Sequence, residues 1–372
     1  MGRIFVSATH TARSKTKSGV QSVVCGLLWG LSKQSIPFCT VEWIPWRNAL
    51  SPLKRTGCER LGLDHSAESL SRKQLSGSWL VLPEVMYRRK QNRVIRHALK
   101  KRMRVAAIPY DAIPVSHPEL VRREAAKYHA EYLKALCDVD LIVAISNSVA
   151  EEFRSFVEKH RLRPPPVRVC SLPAEVIGQE RAVAKHVESP EALNILCVST
   201  LEPRKNHQTL LEAFDLACAA ITRPQLNLHL AGDRHRDAEF IVDQVEAAMK
   251  RNPKVMWHGR VTEEQLSNLY RECDFTVYPS VLEGFGLPIG ESLWHRRPCI
   301  CADFGVMAET ARGGGCVTAD VRNPEKLRDA IVSLATKPDL RQRLLDEIER
   351  RPMKTWAEYA AELCDALEGA DR

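Results

Sequence analysis

The sequence has no run of ~20 apolar residues, the length a membrane-spanning helix needs, although 44% of its 372 residues are hydrophobic. Apolar residues spread in that proportion supply cores for two domains of ordinary size. Its twelve cysteines include no Cys-x-x-Cys pair. Scattered through apolar segments, as at Cys25, Cys197, Cys218 and Cys364, they fit a reduced, cytoplasmic chain better than a disulfide framework or a zinc ribbon. Cys299 and Cys301, the nearest pair, are expected in or near the core. A signal peptide is missing as well. Met1-Gly2-Arg3-Ile4-Phe5-Val6-Ser7 reads as a first strand, with no long apolar region or small-residue cleavage site behind its basic residue, so a soluble, unprocessed protein is expected. No Cys/His ligand spacing surrounds His117, His207 or His258, which are expected to be structural.

Acidic residues are missing where basic ones gather. Residues 1–180 hold 29 Lys and Arg against 16 Asp and Glu, a net +13, and since the whole chain carries +8 the remainder carries −5. Much of the excess lies in residues 87–104, where Arg88, Arg89, Lys90, Arg93, Arg96, Lys100, Lys101, Arg102 and Arg104 occur without one acid. Val94, Ile95, Ala98, Leu99 and Met103 recur among them at helical spacing, the pattern of a basic amphipathic helix. Such a helix suits an anionic membrane surface or a negatively charged acceptor, or else is a domain helix with a solvated basic face. Nucleic acid is not expected as a partner, because aromatics are few and no reader motif is present.

Periodicity gives two α/β halves. In the first, short β-prone runs at residues 3–7, 38–44, 79–81, 105–108, 139–145 and 167–170 alternate with helical or loop segments, including a helix at 22–31 behind the turn Ser18-Gly19-Val20-Gln21. In the second, strands at 193–198, 226–231, 255–257, 275–278 and 298–302 alternate with helices at 207–219, 238–249 and 263–271, with further helices at 323–334 and 339–348. Both read as doubly wound parallel sheets. The expected domains are 1–178 and 191–352, joined by a linker at 179–190 that has lost periodicity, with a terminal helix in 353–372 returning to the first domain.

One segment carries chemistry. Residues 279–291 read Pro-Ser-Val-Leu-Glu-Gly-Phe-Gly-Leu-Pro-Ile-Gly-Glu, directly after the strand at 275–278. The strand delivers Glu283 to its carboxyl end, Pro288 suits the first position of a helix, and Glu291 is expected in that helix's first turn. Gly284 and Gly286 let the backbone come close to a ligand, and the amides of Phe285, Gly286 and Leu287 become candidate donors. Carboxylates and amides at the carboxyl ends of parallel strands make a site for polyols and phosphates.

The run, with two glutamates seven residues apart, resembles the signature of the retaining nucleotide-sugar glycosyltransferases called glycosyltransferase family 4. The preceding Pro279-Ser280 and the upstream Leu201-Glu202-Pro203-Arg204-Lys205-Asn206-His207 extend the likeness, which is close over residues 193–334 and looser in the first half. The resemblance implies the GT-B fold: two Rossmann-like doubly wound parallel-sheet domains with an interdomain cleft. It implies that Arg204 and Lys205 bind the diphosphate as it leaves, in place of a divalent metal, so neither cofactor nor metal is expected. It implies that Glu291 holds the ribose hydroxyls and that Glu283 faces the transferred sugar. In the first domain Gly19 resembles the glycine loop that closes over the donor. Asp111 matches a polar position near the sugar, beside Tyr110 where similar enzymes often carry histidine.

The expected protein is therefore a retaining, metal-independent hexosyltransferase, cytoplasmic or peripheral on the membrane's cytoplasmic face. It would take a nucleotide-sugar donor, GDP-mannose foremost, and pass the sugar to a cell-surface glycan or glycolipid acceptor, by likeness to bacterial mannosyltransferases of surface polysaccharide assembly. A nucleotide-sugar epimerase of the same fold and a non-catalytic nucleotide-sugar-binding protein remain the alternatives.

Overall fold

Short β-branched and apolar runs bounded by polar residues become strands, and the amphipathic stretches between them become covering helices. The computed structural model describes residues 3–14, 18–64, 70–87, 90–182, 191–236 and 238–370. The chain falls into two compact units, one of Met1–Pro173 with Lys354–Arg372 and the other of Ala174–Met353. Of the expected linker, residues 183–190 lie outside the described residues. Residues 179–182 are already packed on the second unit, where Trp294 Nε1 donates to the Gln179 carbonyl at 3.2 Å and the Ala182 amide donates to the Trp294 carbonyl at 3.3 Å.

The first unit holds strands β1 (Ile4–Ser7), β2 (Phe38–Ile44), β3 (Ala49–Pro52), β4 (Trp79–Leu82), β5 (Arg104–Ala107), β6 (Leu141–Ala144) and β7 (Val167–Val169) in the order β3-β2-β1-β4-β5-β6-β7. All neighbours are parallel except β2 and β3, which form an antiparallel hairpin on the edge that the sequence pattern did not reveal. The second unit holds β8 (Ala192–Val198), β9 (Gln225–Ala231), β10 (Val255–Trp257), β11 (Phe275–Tyr278), β12 (Cys299–Ala302) and β13 (Cys316–Ala319) in the all-parallel order β10-β9-β8-β11-β12-β13. Its central neighbours, β8 and β11, meet in register Phe275 to Ile195 and Thr276 to Leu196.

The basic stretch forms the helix Lys90–Lys100, which buries Gln91, Val94, Ile95 and Ala98. Leu99 is not part of that buried stripe: it is 41% exposed, and Arg93, Arg96 and Lys100 are exposed as well. Arg88 and Arg89 lie outside the described residues. Arg104 leaves the solvated set, its guanidinium lying 5.6 Å over the Trp79 ring and donating to the Ala370 carbonyl.

Within the first unit the terminal helix Trp356–Gly369 packs on Gly19–Lys33. Gly26 and Gly30, one helical turn apart, make the contact possible: a Cβ on Gly26 would stand 2.2 Å from the Trp356 ring, and one on Gly30 2.0 Å from the Trp356 carbonyl oxygen. Helix propensity favours Gly30→Ala by about 1 kcal/mol, but forcing a methyl group against backbone costs roughly 1–3 kcal/mol. Denaturant unfolding of Gly30→Ala should therefore show a net loss of stability, and a gain would contradict this packing.

Candidate active site

β8 and β11 are adjacent and parallel, so their carboxyl ends bring the segments after them together. After β8, Pro203–Lys205 makes one 3-10 turn and Asn206 takes the left-handed conformation, φ 58°, before helix His207–Ala220 begins. The Asn206 amide nitrogen donates to the Val321 carbonyl at 2.8 Å and its oxygen accepts from Thr209, which fixes the turn. After β11, the chain passes Ser280 and Glu283 to reach Gly286, left-handed at φ 88°, which caps helix Leu287–Trp294.

Glu283 is the centre of the arrangement. Its Oε1 accepts from Tyr278 at 2.7 Å, from Ser280 at 2.6 Å and from the Lys205 ammonium, while its Oε2 accepts from Arg204 Nη1 at 2.7 Å. Arg204 also donates to Glu202 Oε1 at 2.7 Å and to the Leu282 carbonyl at 2.9 Å, and Lys205 donates to the Tyr278 hydroxyl at 2.9 Å. The Glu283 side chain is 10% exposed. Burial alone would raise its pKa, yet Lys205 and Arg204 bring it down to about 2. Burial also opposes the Arg204 charge, but Glu283 and Glu202 raise its pKa above the ordinary value. With Glu202 counted, two acids face two cations and the cluster nets to zero.

Glu291 behaves differently. It accepts one hydrogen bond, from the Tyr270 hydroxyl at 3.0 Å, and burial pushes its pKa up with that bond as the opposing influence. It also stands later than expected. The helix begins at Leu287, so Pro288 is its second residue and Glu291 its fifth, in the second turn, with no acid in the first. The left-handed Gly286 starts the helix one residue earlier than proline alone suggests. Among the described residues the amides of Phe285, Gly286 and Leu287 donate no hydrogen bond, whereas the Phe285 carbonyl accepts from Thr310. Gly284 is buried.

Three first-unit expectations need revision or restatement. Gly19 is not in a turn but is the first residue of helix Gly19–Lys33, behind a Ser18/Gln21 capping box, because that box starts the helix three residues before Ser22. Tyr110 is buried and its hydroxyl donates to the Pro83 carbonyl at 2.7 Å. Asp111 accepts from the Ile113 amide at 3.1 Å, and its carbonyl oxygen lies 3.0 Å from His129 Nε2.

The histidines divide by place. His207 is buried with Nε2 3.0 Å from Ser199 Oγ, and burial, helped by Lys205, lowers its pKa to about 3, leaving it neutral at physiological pH. His258 stacks on His229, and His117 pairs with Glu119. No group of three or more His, Cys, Asp or Glu among the described residues could hold a metal ion. One Asp-x-Asp sequence, the pattern associated with metal in other nucleotide-sugar enzymes, does occur, as Asp138-Val139-Asp140. It precedes β6, at the opposite end of the strand from a ligand edge, and Asp140 accepts from the Val105 amide at 2.7 Å.

Glu202, Tyr278, Ser280 and Tyr270 are site residues that the sequence reading passed over as such. Glu202, Tyr278 and Ser280 flank the recognised residues in the same two runs, which is a signal that was available. Tyr270 comes from another helix and carried none.

Residues 178–351 match the family model for glycosyl transferases group 1. The matched residues lie within the second unit. Among curated proteins this chain is similar to the serotype-specific mannosyltransferase WbdA of Escherichia coli, 26% identical over 55% of this chain and 26% of that protein. It is also similar to the O-antigen chain mannosyltransferase B of Escherichia coli, 35% identical over 33% of this chain and 32% of that protein. The chain thus spans about a quarter to a third of the length of these relatives. Among solved structures, Thermosynechococcus elongatus sucrose-phosphate synthase superposes with TM-score 0.68 at 14% identity, covering 99% of both chains. Anabaena HepE in complex with UDP and glucose gives TM-score 0.67 at 14% identity over 99% of this chain and 100% of that one. These likenesses establish the GT-B fold, and the residues that match the family model include Arg204, Lys205, Glu283 and Glu291.

The two glutamates should affect stability in opposite directions. Glu283 has a folded pKa of about 2 against an ordinary 4.5, so its contribution is full above 4.5 and is lost as pH falls toward 2. Glu291 has a raised folded pKa, so its charge costs stability above that pKa and the cost vanishes below 4.5. By urea unfolding at neutral pH, Glu283→Gln should be less stable than wild type, with the gap narrowing in acid, and Glu291→Gln more stable. The same sign for both would contradict this electrostatic description.

Proposed function

We propose that the protein is a retaining glycosyltransferase of the family 4 kind that moves a hexose from a nucleotide diphosphate sugar to a growing cell-surface glycan or lipid-linked acceptor. The observation that carries the reading is the convergence of Arg204, Lys205 and Glu283 at the carboxyl ends of β8 and β11, within the residues that match the group 1 family model. Mannose, with GDP-mannose as donor, is favoured because the similar curated proteins are named mannosyltransferases.

In this reading the bond between the anomeric carbon and the diphosphate oxygen breaks, and the diphosphate keeps the electron pair. Arg204 and Lys205 stabilise the charge gathered there, as two fixed cations in the place of a divalent metal. Arg204, 25% exposed and shared between two carboxylates, is the cation better placed to turn toward the phosphates. The open amides of Phe285, Gly286 and Leu287 at a helix start add donors. Glu283, held ionised, faces the positive charge growing at the anomeric carbon, and Glu291 takes the ribose hydroxyls. The acceptor hydroxyl attacks from the leaving group's own face and gives its proton to the departing phosphate oxygen, which retains configuration without a protein nucleophile.

On the acceptor side, peripheral contact with an anionic membrane is supported by the first unit's surface. Among the described residues Arg93, Arg96, Lys100, Lys101 and Arg102 make no ion pair, Leu99 stands out among them, and Trp46 is 79% exposed at the tip of the β2–β3 hairpin. His97 of the helix packs on Trp43 of β2 with 5.5 Å between ring centroids. No helix among the described residues is long and apolar enough to cross a membrane.

Transfer from a nucleotide sugar to acceptor should survive EDTA, and donor incubated alone should not isomerise. Loss of activity on chelation, restored by magnesium or manganese, contradicts the cation-pair mechanism, and isomerised donor would make the protein an epimerase. Clustered Lys and Arg gain about 1 kcal/mol each near an anionic leaflet, and salt screens that gain. The protein should co-sediment with phosphatidylserine vesicles at low salt, and Arg96→Gln with Lys100→Gln and Lys101→Gln should release it. Unchanged sedimentation of that variant would leave the basic face a solvated surface.

A further inference from the structure

The paired glutamates are each met by the hydroxyl of a buried tyrosine. Tyr278, 2% exposed at the end of β11, donates to Glu283 Oε1 at 2.7 Å while accepting from Lys205 at 2.9 Å. Tyr270, 1% exposed in helix Glu263–Glu272, donates to Glu291 Oε2 at 3.0 Å, and its ring stacks on His295 with 4.6 Å between centroids. We propose that these are positioning residues, Tyr278 for the carboxylate that faces the transferred sugar and Tyr270 for the carboxylate that faces the ribose. This rests on the roles given above to Glu283 and Glu291.

A glutamate on a ligand edge has three side-chain torsions to order, whereas a buried tyrosine has a ring already fixed by packing. Its hydroxyl must find a partner when desolvated. Both hydroxyls find the signature carboxylates, so core packing is turned into carboxylate orientation. The two differ in how much they carry. Glu283 has Lys205, Arg204 and Ser280 as further donors, so Tyr278 is one restraint of four. Glu291 accepts from Tyr270 alone among the described residues, so that hydroxyl sets its rotamer and is also what favours its ionised form against burial.

The test is steady-state kinetics at saturating acceptor on Tyr270→Phe, Glu291→Gln and their double variant, and on Tyr278→Phe, Glu283→Gln and theirs, with melting temperatures beside them. Losing one hydrogen bond to a charged group changes an equilibrium by about tenfold. Tyr270→Phe should raise the donor KM by about that factor, with kcat held within about twofold. It should add little on top of Glu291→Gln, and should move the acid limb of 1/KM to higher pH. Fluorotyrosine at 270 keeps the shape, donates more strongly and should move that limb to lower pH, which covers the case of an unstable Tyr270→Phe. Tyr278→Phe should lower kcat several-fold and be non-additive with Glu283→Gln. If Glu291→Gln raises KM while Tyr270→Phe does not, or if tyrosine and glutamate effects add in full, positioning is refuted and the glutamate roles stand. If neither glutamine variant shows its own KM or kcat effect, the roles fall and the positioning inference falls with them.

Discussion

In the second unit the carboxyl ends of β8 and β11 are organised by one carboxylate that four donors hold ionised in a nearly buried place. A buried charge is tolerated only with its partners in place, and Glu283 obtains them from two different segments: Arg204 and Lys205 after β8, Tyr278 and Ser280 from β11 and the turn behind it. The register of two neighbouring parallel strands therefore decides whether the site exists. A slip of one residue would turn the side chains of β11 to the opposite faces of the sheet and leave Tyr278 unable to bridge Lys205 and Glu283.

Balance within the cluster sets its chemistry. Glu202 and Glu283 cancel Arg204 and Lys205, so the edge is closer to a neutral, pre-ordered ion network than to a free patch of positive charge. Under the proposed function a diphosphate would enter by exchanging partners with Arg204, the more exposed cation, while Lys205 stays between Tyr278 and Glu283. Glu291 carries the complementary tension, a carboxylate kept in a place that burial makes unfavourable for its charge.

Much of this was legible in the chain. β2, β10 and β11 begin and end where the sequence pattern puts them, because each is a short apolar, β-branched run with polar or turn residues on both sides. What escaped lay at sheet edges and in short elements. β3 is a four-residue strand ending in proline, β13 is half-buried without clear alternation, and helix Gly305–Ala311 has seven residues opening on glycine. Local pattern is weak there, and tertiary pairing decides. The signature residues were readable from their spacing, but their partners were not equally so. Tyr270 reaches Glu291 from a helix 21 residues earlier, and the Tyr110 hydroxyl finds its partner in the Pro83 carbonyl on another loop. The capping box at Ser18 and Gln21 was visible in the sequence, and it outweighed the glycine that suggested a turn.

The central claim, that the Arg204, Lys205 and Glu283 cluster receives a diphosphate, is tested most directly by calorimetric titration of a nucleoside diphosphate and the matching monophosphate into wild type and Arg204→Gln. Arg204 is the member whose loss still leaves Glu283 with Lys205, Tyr278 and Ser280. Wild type should prefer the diphosphate, and Arg204→Gln should lose most of that preference, by about tenfold for one charge-assisted contact, while keeping its affinity for the monophosphate. An undiminished preference in Arg204→Gln would place the diphosphate elsewhere and contradict the account.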